Sequence, residues 1–463
     1  MAVAMWFFLC VRKGDCGMNQ TFMKEKKVIP LVLSMALPMV LSMAVNSLYN
    51  IVDSYFVAKL SEDAMTALSL VFPAQNLLTA VSVGFGIGVN AQIAYFLGAK
   101  DQDMADRTAS QGILFSVLHG VMILFVFLLG MPWFLGRFTS RASVLALGIQ
   151  YSNVVFWFSV VVSVGITYEK IFQAVGRMKE TMICMMLGFV TNILLDPLLI
   201  FGIGPFPELG MRGAAVATGM GQVLTFFAYV FFDKKKPLPV NISFSKMKPS
   251  AEICKKVYGV GGPATLNMAL PSFLITALNG MLSVYGETYV LVLGIYYKLQ
   301  TFIYLPTNGV LQGIRPLVGY NYGAKEYRRV EKIYRFAMVM TAGIMFLGMG
   351  GCLLIPKLLM SLFASNPQTI AIGTVALRII SLGFLVSAAS ITYCGTLEGL
   401  GEGMPSLVIS LLRYTVIMIP VALLLSHGMG AVGVWMAFPV TEFVVALVSY
   451  LFFYKIWKKK KGN

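Results

Sequence analysis

Four polar side chains recur along one face of the first long apolar stretch of the chain. They are spaced as i, i+4, i+8 and i+11, which places them on one side of an α-helix: Ser42, Asn46, Asn50 and Asp53. An ionisable group inside a membrane span is costly and rare, so it indicates a functional site. The alternative is that Asp53 caps the helix end at the water interface. The three polar companions on its face favour ion chemistry.

A second acid lies in the fifth apolar stretch. Asn192 and Asp196 are four residues apart and therefore face the same way on a helix. Pro197 follows the acid and lacks a backbone N–H, which loosens the helix there. In the second stretch, Gln75 belongs to a small polar stripe that we expect to face an aqueous cavity.

The composition is that of an integral membrane protein. Of 463 residues, 58% are hydrophobic and 12% are charged, and the mean hydropathy is +0.78, whereas soluble domains carry about 25% charged residues. Helical spans need ~20 apolar residues each. We predict helices because a membrane barrel would show short alternating segments instead. The twelve predicted spans are 28–55, 65–96, 109–131, 144–169, 181–202, 212–232, 257–284, 288–314, 333–355, 369–396, 405–426 and 430–454.

The net charge of +16 is explained by membrane topology rather than by nucleic-acid binding. If the amino terminus is cytoplasmic and the chain changes side after each span, most of the 36 Lys and Arg fall on the cytoplasmic side. We therefore predict that both termini are cytoplasmic. Three cations remain at membrane depth in the second half of the chain: Lys298, Arg378 and Arg413.

Cysteine and histidine give no sign of a disulfide framework or a metal cluster. The six cysteines are scattered without a Cys-x-x-Cys pair, and His119 and His427 are far apart in sequence.

The two halves of the chain match when one is shifted by 225 residues. Pro38 then falls on Pro263, and the Gly-Ala-Lys motif at 98–100 falls on its copy at 323–325. An even number of spans per half gives both halves the same orientation, as in parallel repeats of secondary transporters. Asp53 falls on Leu278, so the ion chemistry belongs mainly to the first half. The predicted units are a segment of doubtful role (1–27), a first lobe (28–232), a basic cytoplasmic linker (233–256), a second lobe (257–455) and a basic cytoplasmic tail (456–463).

These features together resemble the multidrug and toxic compound extrusion (MATE) family over about residues 28–455. The motifs that carry the resemblance stand in the expected order: Leu37-Pro38, Val52-Asp53, Gly98-Ala99-Lys100 and its copy, Gln173-Ala174-Val175-Gly176, Asn192 to Asp196-Pro197, and Glu398-Gly399-Leu400-Gly401.

The resemblance implies an all-α fold with twelve transmembrane helices in two six-helix lobes related by a pseudo-twofold axis. It implies a secondary transporter, not an enzyme, that needs no cofactor and exchanges drugs for a cation. The implied cation site comprises Asp53, Asn192, Asp196 and Thr218. We expect a supporting polar face to be formed by Asn46, Asn50 and Gln75.

Two carboxylates in one cavity suit a proton carrier, because both cannot be charged without mutual repulsion. The same oxygens suit Na⁺, a hard cation that prefers oxygen ligands, so the sequence leaves H⁺ and Na⁺ open. We expect the entering cation to neutralise the pair and weaken drug binding while the lobes rock between two states. The expected substrate cavity for lipophilic or cationic compounds comprises Tyr296, Tyr297, Tyr304, Arg413 and Glu442, although the last two residues equally suit a structural ion pair.

Two other functions stay open at this point. A flippase for a lipid-linked sugar, built on a related fold, would need a strongly cationic groove, for which the three membrane-depth cations are candidates. An intramembrane enzyme would need a nucleophile–base pair or a metal-ligand cluster at membrane depth, and the sequence offers neither. We expect a monomer, surrounded by lipid, in the plasma membrane of a bacterium, with no nucleic-acid partner.

Overall fold

The computed structural model describes residues 21–462, and the regular structure in that range is helical. Residues 1–20 and 463 lie outside the described residues, so most of the segment of doubtful role is outside them too. The helices of the first half are α1 (Phe22–Glu25), α2 (Val28–Leu60), α3 (Glu62–Gly98), α4 (Gln102–Phe138), α5 (Ala142–Trp157), α6 (Ser159–Ala174), α7 (Met178–Phe201) and α8 (Met211–Lys235). Those of the second half are α9 (Ala251–Ser283), α10 (Glu287–Gly323), α11 (Tyr327–Leu354), α12 (Pro356–Ser361), α13 (Pro367–Ser381), α14 (Phe384–Gly399), α15 (Gly403–Leu411), a π-helical turn (Leu412–Val416), α16 (Met418–Met429) and α17 (Ala431–Gly462).

These helices account for the twelve predicted spans. Across residues 21–462, nine helical segments are long and apolar enough to cross a membrane, and the bent pairs α5–α6 (49°) and α13–α14 (52°) supply two more. Helix α10, with 37 residues, is not among these eleven and covers the remaining predicted span, 288–314. The first bend falls at Phe158 and the second at Gly383, one repeat apart. The predicted all-α fold in two six-helix lobes is thereby confirmed.

The sequence repeat is also a repeat of backbone conformation. Lys100 and Lys325 end the two Gly-Ala-Lys motifs, and both have a positive φ, 61° and 60°. Gly176 and Gly401 likewise have φ values of 80° and 79°. Positive φ is uncommon outside glycine, so its presence at equivalent lysines means that one turn geometry is used in both lobes.

The lobes meet along a seam of small residues. Gly313 of α10 lies on α2, where an added Cβ would be 2.6 Å from Cα of Ala36. Gly261 of α9 lies on α3, where an added Cβ would be 2.9 Å from Cα of Phe85. Carbon atoms normally pack at 3.5–4.0 Å, so side chains larger than hydrogen would force these helices apart. The glycine contacts between the lobes lie toward one end of the helices. This is the end that is close to residues 21–27 and to the linker between the lobes. We call this end of the molecule the linker end.

Buried charges lie within the seam. Lys170 of α6 is 3% exposed, and its Nζ donates to Glu169 (2.7 Å) and, across the seam, to Oε1 of Gln312 on α10 (3.3 Å). In the second lobe, Arg315 forms an ion pair with Glu398 (2.7 Å). Opening at the linker end would expose these charges to water again. The hydration free energy regained would offset part of the free energy lost with the apolar contacts.

The linker is shorter and more ordered than the sequence suggests. Helices α8 and α9 extend into the predicted 233–256 segment, which leaves 236–250 to join the lobes, and the predicted tail continues α17 to Gly462. The linker follows α4 because its backbone pairs with polar side chains at the start of that helix. These hydrogen bonds run from Gln102 to the carbonyl of Pro239 (2.7 Å), from the N–H of Asn241 to Asp106 (2.9 Å), and from Gln111 to the carbonyl of Lys248 (2.8 Å).

Candidate functional site

The two predicted acids meet inside the first lobe. Asp53 of α2 and Asp196 of α7 have carboxyl groups in hydrogen-bond contact with each other. Asp196 is fully buried, and Oδ1 of Asp53 and Oδ2 of Asp196 are buried without a hydrogen-bond partner. Two carboxylates in contact repel each other strongly in a buried site. They must therefore share a proton, which neutralises one of them, or bind a metal cation.

Neutral polar groups complete the site. Nδ2 of Asn192 donates to Asp196 (3.4 Å) and to Oγ1 of Thr218 on α8 (3.3 Å). Its Oδ1 atom is buried and has no partner. The structure therefore brings Asp53, Asn192, Asp196 and Thr218 together, and three of their buried acceptor oxygens have no hydrogen-bond partner. That set of oxygen donors fits a hard cation.

Two tyrosines at this site were missed by the sequence analysis. The Tyr49 hydroxyl is hydrogen-bonded to Thr218. Tyr151 of α5 is 1% exposed and accepts a hydrogen bond from Gln75 (3.1 Å), and both acids lie close enough to act on it electrostatically. Tyr49 precedes Asp53 by one helical turn, so the spacing rule applied to the other polar residues would have found it. No sequence pattern around Tyr151 singles it out.

Asn46 and Asn50 bond to each other and not to the acids. Nδ2 of Asn50 donates to Oδ1 (3.0 Å) and to the carbonyl oxygen (2.8 Å) of Asn46, and Asn50 is exposed. Seven helical residues correspond to about 10 Å of rise, so Asn46 shares the face of Asp53 but lies beyond its reach. The polar stripe on α2 is therefore longer than the site around the two acids. Of the predicted supporting residues, Gln75 is the one connected to that site, through its hydrogen bond to Tyr151.

A separate charged cluster lies in the second lobe. Arg413 and Glu442 form an ion pair of 2.6 Å, and Arg413 also donates to the hydroxyl of Tyr304 (3.1 Å). The Tyr304 hydroxyl lies 3.3 Å from Oγ of Ser387. Arg413 stands on the π-helical turn Leu412–Val416, a feature that often marks a functional site.

Aromatic rings surround this pair. Tyr296 is 2% exposed, its ring centre is 5.1 Å from that of Tyr297, and it packs against Phe384 and Phe438. The Tyr297 hydroxyl and Oε2 of Glu442 are buried without a partner. All five predicted cavity residues are thus in one cluster, and two of their buried polar atoms have no hydrogen-bond partner.

We expect separate and paired replacements at Arg413 and Glu442 to have different effects. Arg413→Met or Glu442→Gln alone should lower the free energy of unfolding by about 3–5 kcal/mol, because each leaves a buried partner uncompensated, and the double variant should lose less. Thermal unfolding of the four proteins in detergent measures this. If the double variant is as stable and as active as the parent, the pair has no role in function. Additive losses of stability would contradict the ion-pair interpretation.

Arg413, one of the three membrane-depth cations, does not support a flippase groove. Lys298 and Arg378 have exposed side chains, whereas Arg413 is buried and neutralised by Glu442. A groove for a pyrophosphate-linked lipid would need these charges unpaired and turned to one cavity.

Comparison with known proteins gives one family in both lobes. The MatE family model matches residues 38–198 and 263–424. The multidrug export protein MepA of Staphylococcus aureus is 27% identical over 435 residues, which covers 94% of this chain and 95% of that protein. MepA of Staphylococcus haemolyticus is 25% identical over 436 residues with the same coverage.

Solved structures show the same fold. An outward-facing conformation of a multidrug resistance MATE family transporter of the MOP superfamily superimposes with a TM-score of 0.91 at 24% identity, over 96% of this chain and 99% of that chain. A MATE structure in complex with MaL6 gives a TM-score of 0.90 at 24% identity, over 96% and 100%. Because the family model covers more than half of the chain and the fold agrees over nearly all of it, this protein belongs to the MatE family of multidrug efflux transporters, which are not enzymes.

Proposed function

We propose that this transporter exports organic, mainly cationic compounds by antiport against H⁺ or Na⁺, with coupling in the first lobe. One observation carries the proposal: the contact between the Asp53 and Asp196 carboxyls, each with a buried oxygen that has no protein partner. A bound cation would relieve the repulsion between these two carboxylates. Asn192 and Thr218 would complete the ligand set.

Helix α2 offers a route from the cation site to the seam. It carries Asp53 near one end and packs through Ala36 on Gly313 of α10 near the other. Pro38 lies between them and removes one backbone hydrogen bond, which lets the helix bend there. Cation binding that shifts α2 relative to α7 and α8 would therefore alter the contact between lobes, and the lobes would rock from one open end to the other.

The second-lobe cluster is the proposed substrate site. Tyr296, Tyr297 and Tyr304 supply aromatic faces that attract organic cations, and Glu442 supplies a carboxylate oxygen with no partner. Arg413 holds the other oxygen of that carboxylate and fixes its position. The drug and the coupling ion would thus bind in different lobes, and the seam between them would connect the two events.

Orientation follows from the distribution of charge. The linker, residues 21–27 and the basic end of α17 lie at the linker end, which we propose to be cytoplasmic. With the lobes in contact at that end, the conformation described here would be the one that releases drug outward. We propose a monomer in a bacterial plasma membrane, since each lobe pair holds one complete set of cation-site residues.

The coupling ion can be identified with purified protein in liposomes. Efflux of a fluorescent organic cation should respond to an imposed pH gradient or to an imposed Na⁺ gradient, each applied alone. Transport driven by one ion should persist when the other ion is equal on both sides. Export that needs neither gradient would contradict antiport.

A further inference from the structure

We infer that residues 21–27 are a latch that holds the two lobes together at the linker end. Met23 and Arg329 are positioning residues of the transport cycle, because they help set which end of the transporter is open. The inference rests on the alternating opening proposed above.

The latch is anchored in the first lobe by an apolar contact. Met23 is fully buried although α1 has only four residues. It packs on the turn between α6 and α7, where a Cβ added to Gly176 would be 2.6 Å from both Cε of Met23 and the ring of Phe22. Gly176 also has a φ of 80°, which other residues rarely adopt. Both the backbone conformation of this turn and the close approach of Met23 therefore require glycine.

The latch is anchored in the second lobe by hydrogen bonds to its backbone. The carbonyl of Met23 accepts from Nδ2 of Asn321 (3.1 Å) and from Nη2 of Arg329 (3.2 Å), and the carbonyl of Lys26 accepts from the same Nη2 atom (2.7 Å). Nε of Arg329 donates to Oδ1 of Asn321 (3.1 Å), which orients the guanidinium. Asn321 is fully buried. The charged donor makes these bonds stronger than bonds between neutral groups.

The segment therefore touches both lobes at the point where the lobes meet. Separation at the linker end must break either the Met23 contact with the first lobe or the Arg329 bonds to the second. Gly401 is the repeat partner of Gly176, and a Cβ added there would instead meet a polar atom, Nε2 of Gln92, at 3.3 Å. The apolar anchor therefore occurs in one lobe and not in its counterpart. The corresponding stretch before α9 is the linker, which is bonded to α4 of the first lobe.

A cysteine buried in the seam can report opening. Ala264 is 2% exposed and packs with Ile87 and Val260 between the lobes. In a background with the six native cysteines replaced by alanine, Ala264→Cys should react slowly with a maleimide in detergent. Adding Arg329→Ala should speed labelling about tenfold, because charge-assisted bonds of the closed state are lost. Met23→Ser should also speed labelling about tenfold, because it removes the apolar contact of the latch with the first lobe.

Arg328→Ala is the matched control, because it removes the same charge from an exposed neighbouring position on the same helix. Labelling at the control rate in both latch variants overturns the inference, even if drug export is normal. Faster labelling that extends to an Ala67→Cys reporter, at a position fully buried inside the first lobe, overturns it too, since that indicates general loosening; faster labelling at Ala264→Cys alone supports it. If Arg329→Ala does not fold, Met23→Ser decides the outcome. Labelling needs no transport, so a failure of antiport would refute the proposed function without changing this readout.

Discussion

Asp53→Asn and Asp196→Asn should each reduce cation-driven drug efflux by about a hundredfold, the upper range of coupling energies between sites. Asparagine keeps the shape of aspartate but cannot carry a proton between water and the site, and it supplies one oxygen fewer for a metal ion. Each substitution also removes the contact between two carboxyls, so the melting temperature should stay constant or rise. Export of a fluorescent organic cation from energised vesicles, measured beside thermal unfolding, checks both parts.

Asp63→Asn is the matched control for this prediction. Asp63 lies at the start of α3 on the surface, where it pairs with Arg141 (2.8 Å). Exposed ion pairs contribute little, so this variant should export normally. A loss of export accompanied by a falling melting temperature in the Asp53 and Asp196 variants would point to a structural role, and normal export in both would remove the assignment of the cation site.

The members of the proposed cation site were predictable because they lie on helices at spacings that fix their directions. Asn192 and Asp196 are one turn apart, and the proposed partner Asp53 stands on a polar face of an otherwise apolar helix. Periodicity gives the direction of a side chain but not its depth, which is why Asn46 and Asn50 were predicted to support a site that they do not touch. Tyr151 escaped because a single tyrosine in an apolar stretch matches ordinary packing.

The second-lobe pair was predictable in part. Arg413 and Glu442 lie on consecutive predicted spans, 405–426 and 430–454, so a short connection brings them side by side. The π-helical turn under Arg413 was not predictable, since one extra residue in a turn shifts every later side chain relative to a 3.6-residue period. The Met23 contact was hidden for another reason: four helical residues give too short a pattern to be recognised, and tertiary contacts to both lobes hold them in place.

Several residues that match in the sequence repeat lie at contacts between the two lobes. Gly88 lies on α9 near Gly261, and its repeat partner Gly313 lies on α2 near Ala36, the repeat partner of Gly261. The Gly-Ala-Lys motifs follow the same rule, because Gly98 contacts the carbonyl of Tyr320 on the opposite lobe. The matching glycines are thus positions where one lobe approaches the backbone of the other, and the pseudo-twofold axis requires small residues on both sides.

Gly313→Ala should therefore open the linker end and impair export. The added Cβ would lie 2.6 Å from Cα of Ala36, so α2 and α10 must separate by about 1 Å to restore ordinary carbon contact. The contact is with backbone on both helices, which cannot turn aside as a side chain can. We expect export to fall at least about tenfold, the change that 1.4 kcal/mol makes to an equilibrium. The Ala264→Cys reporter should label faster in the same protein.

Gly294→Ala gives the comparison that isolates this effect. Gly294 lies on the same helix, and an added Cβ there would meet nothing within 4 Å. Alanine favours a helix over glycine by about 1 kcal/mol, so both variants gain the same helix propensity and only Gly313→Ala meets the opposing backbone. Equal export by the two variants would mean that transport does not need the lobes to approach each other as closely as Gly313 allows.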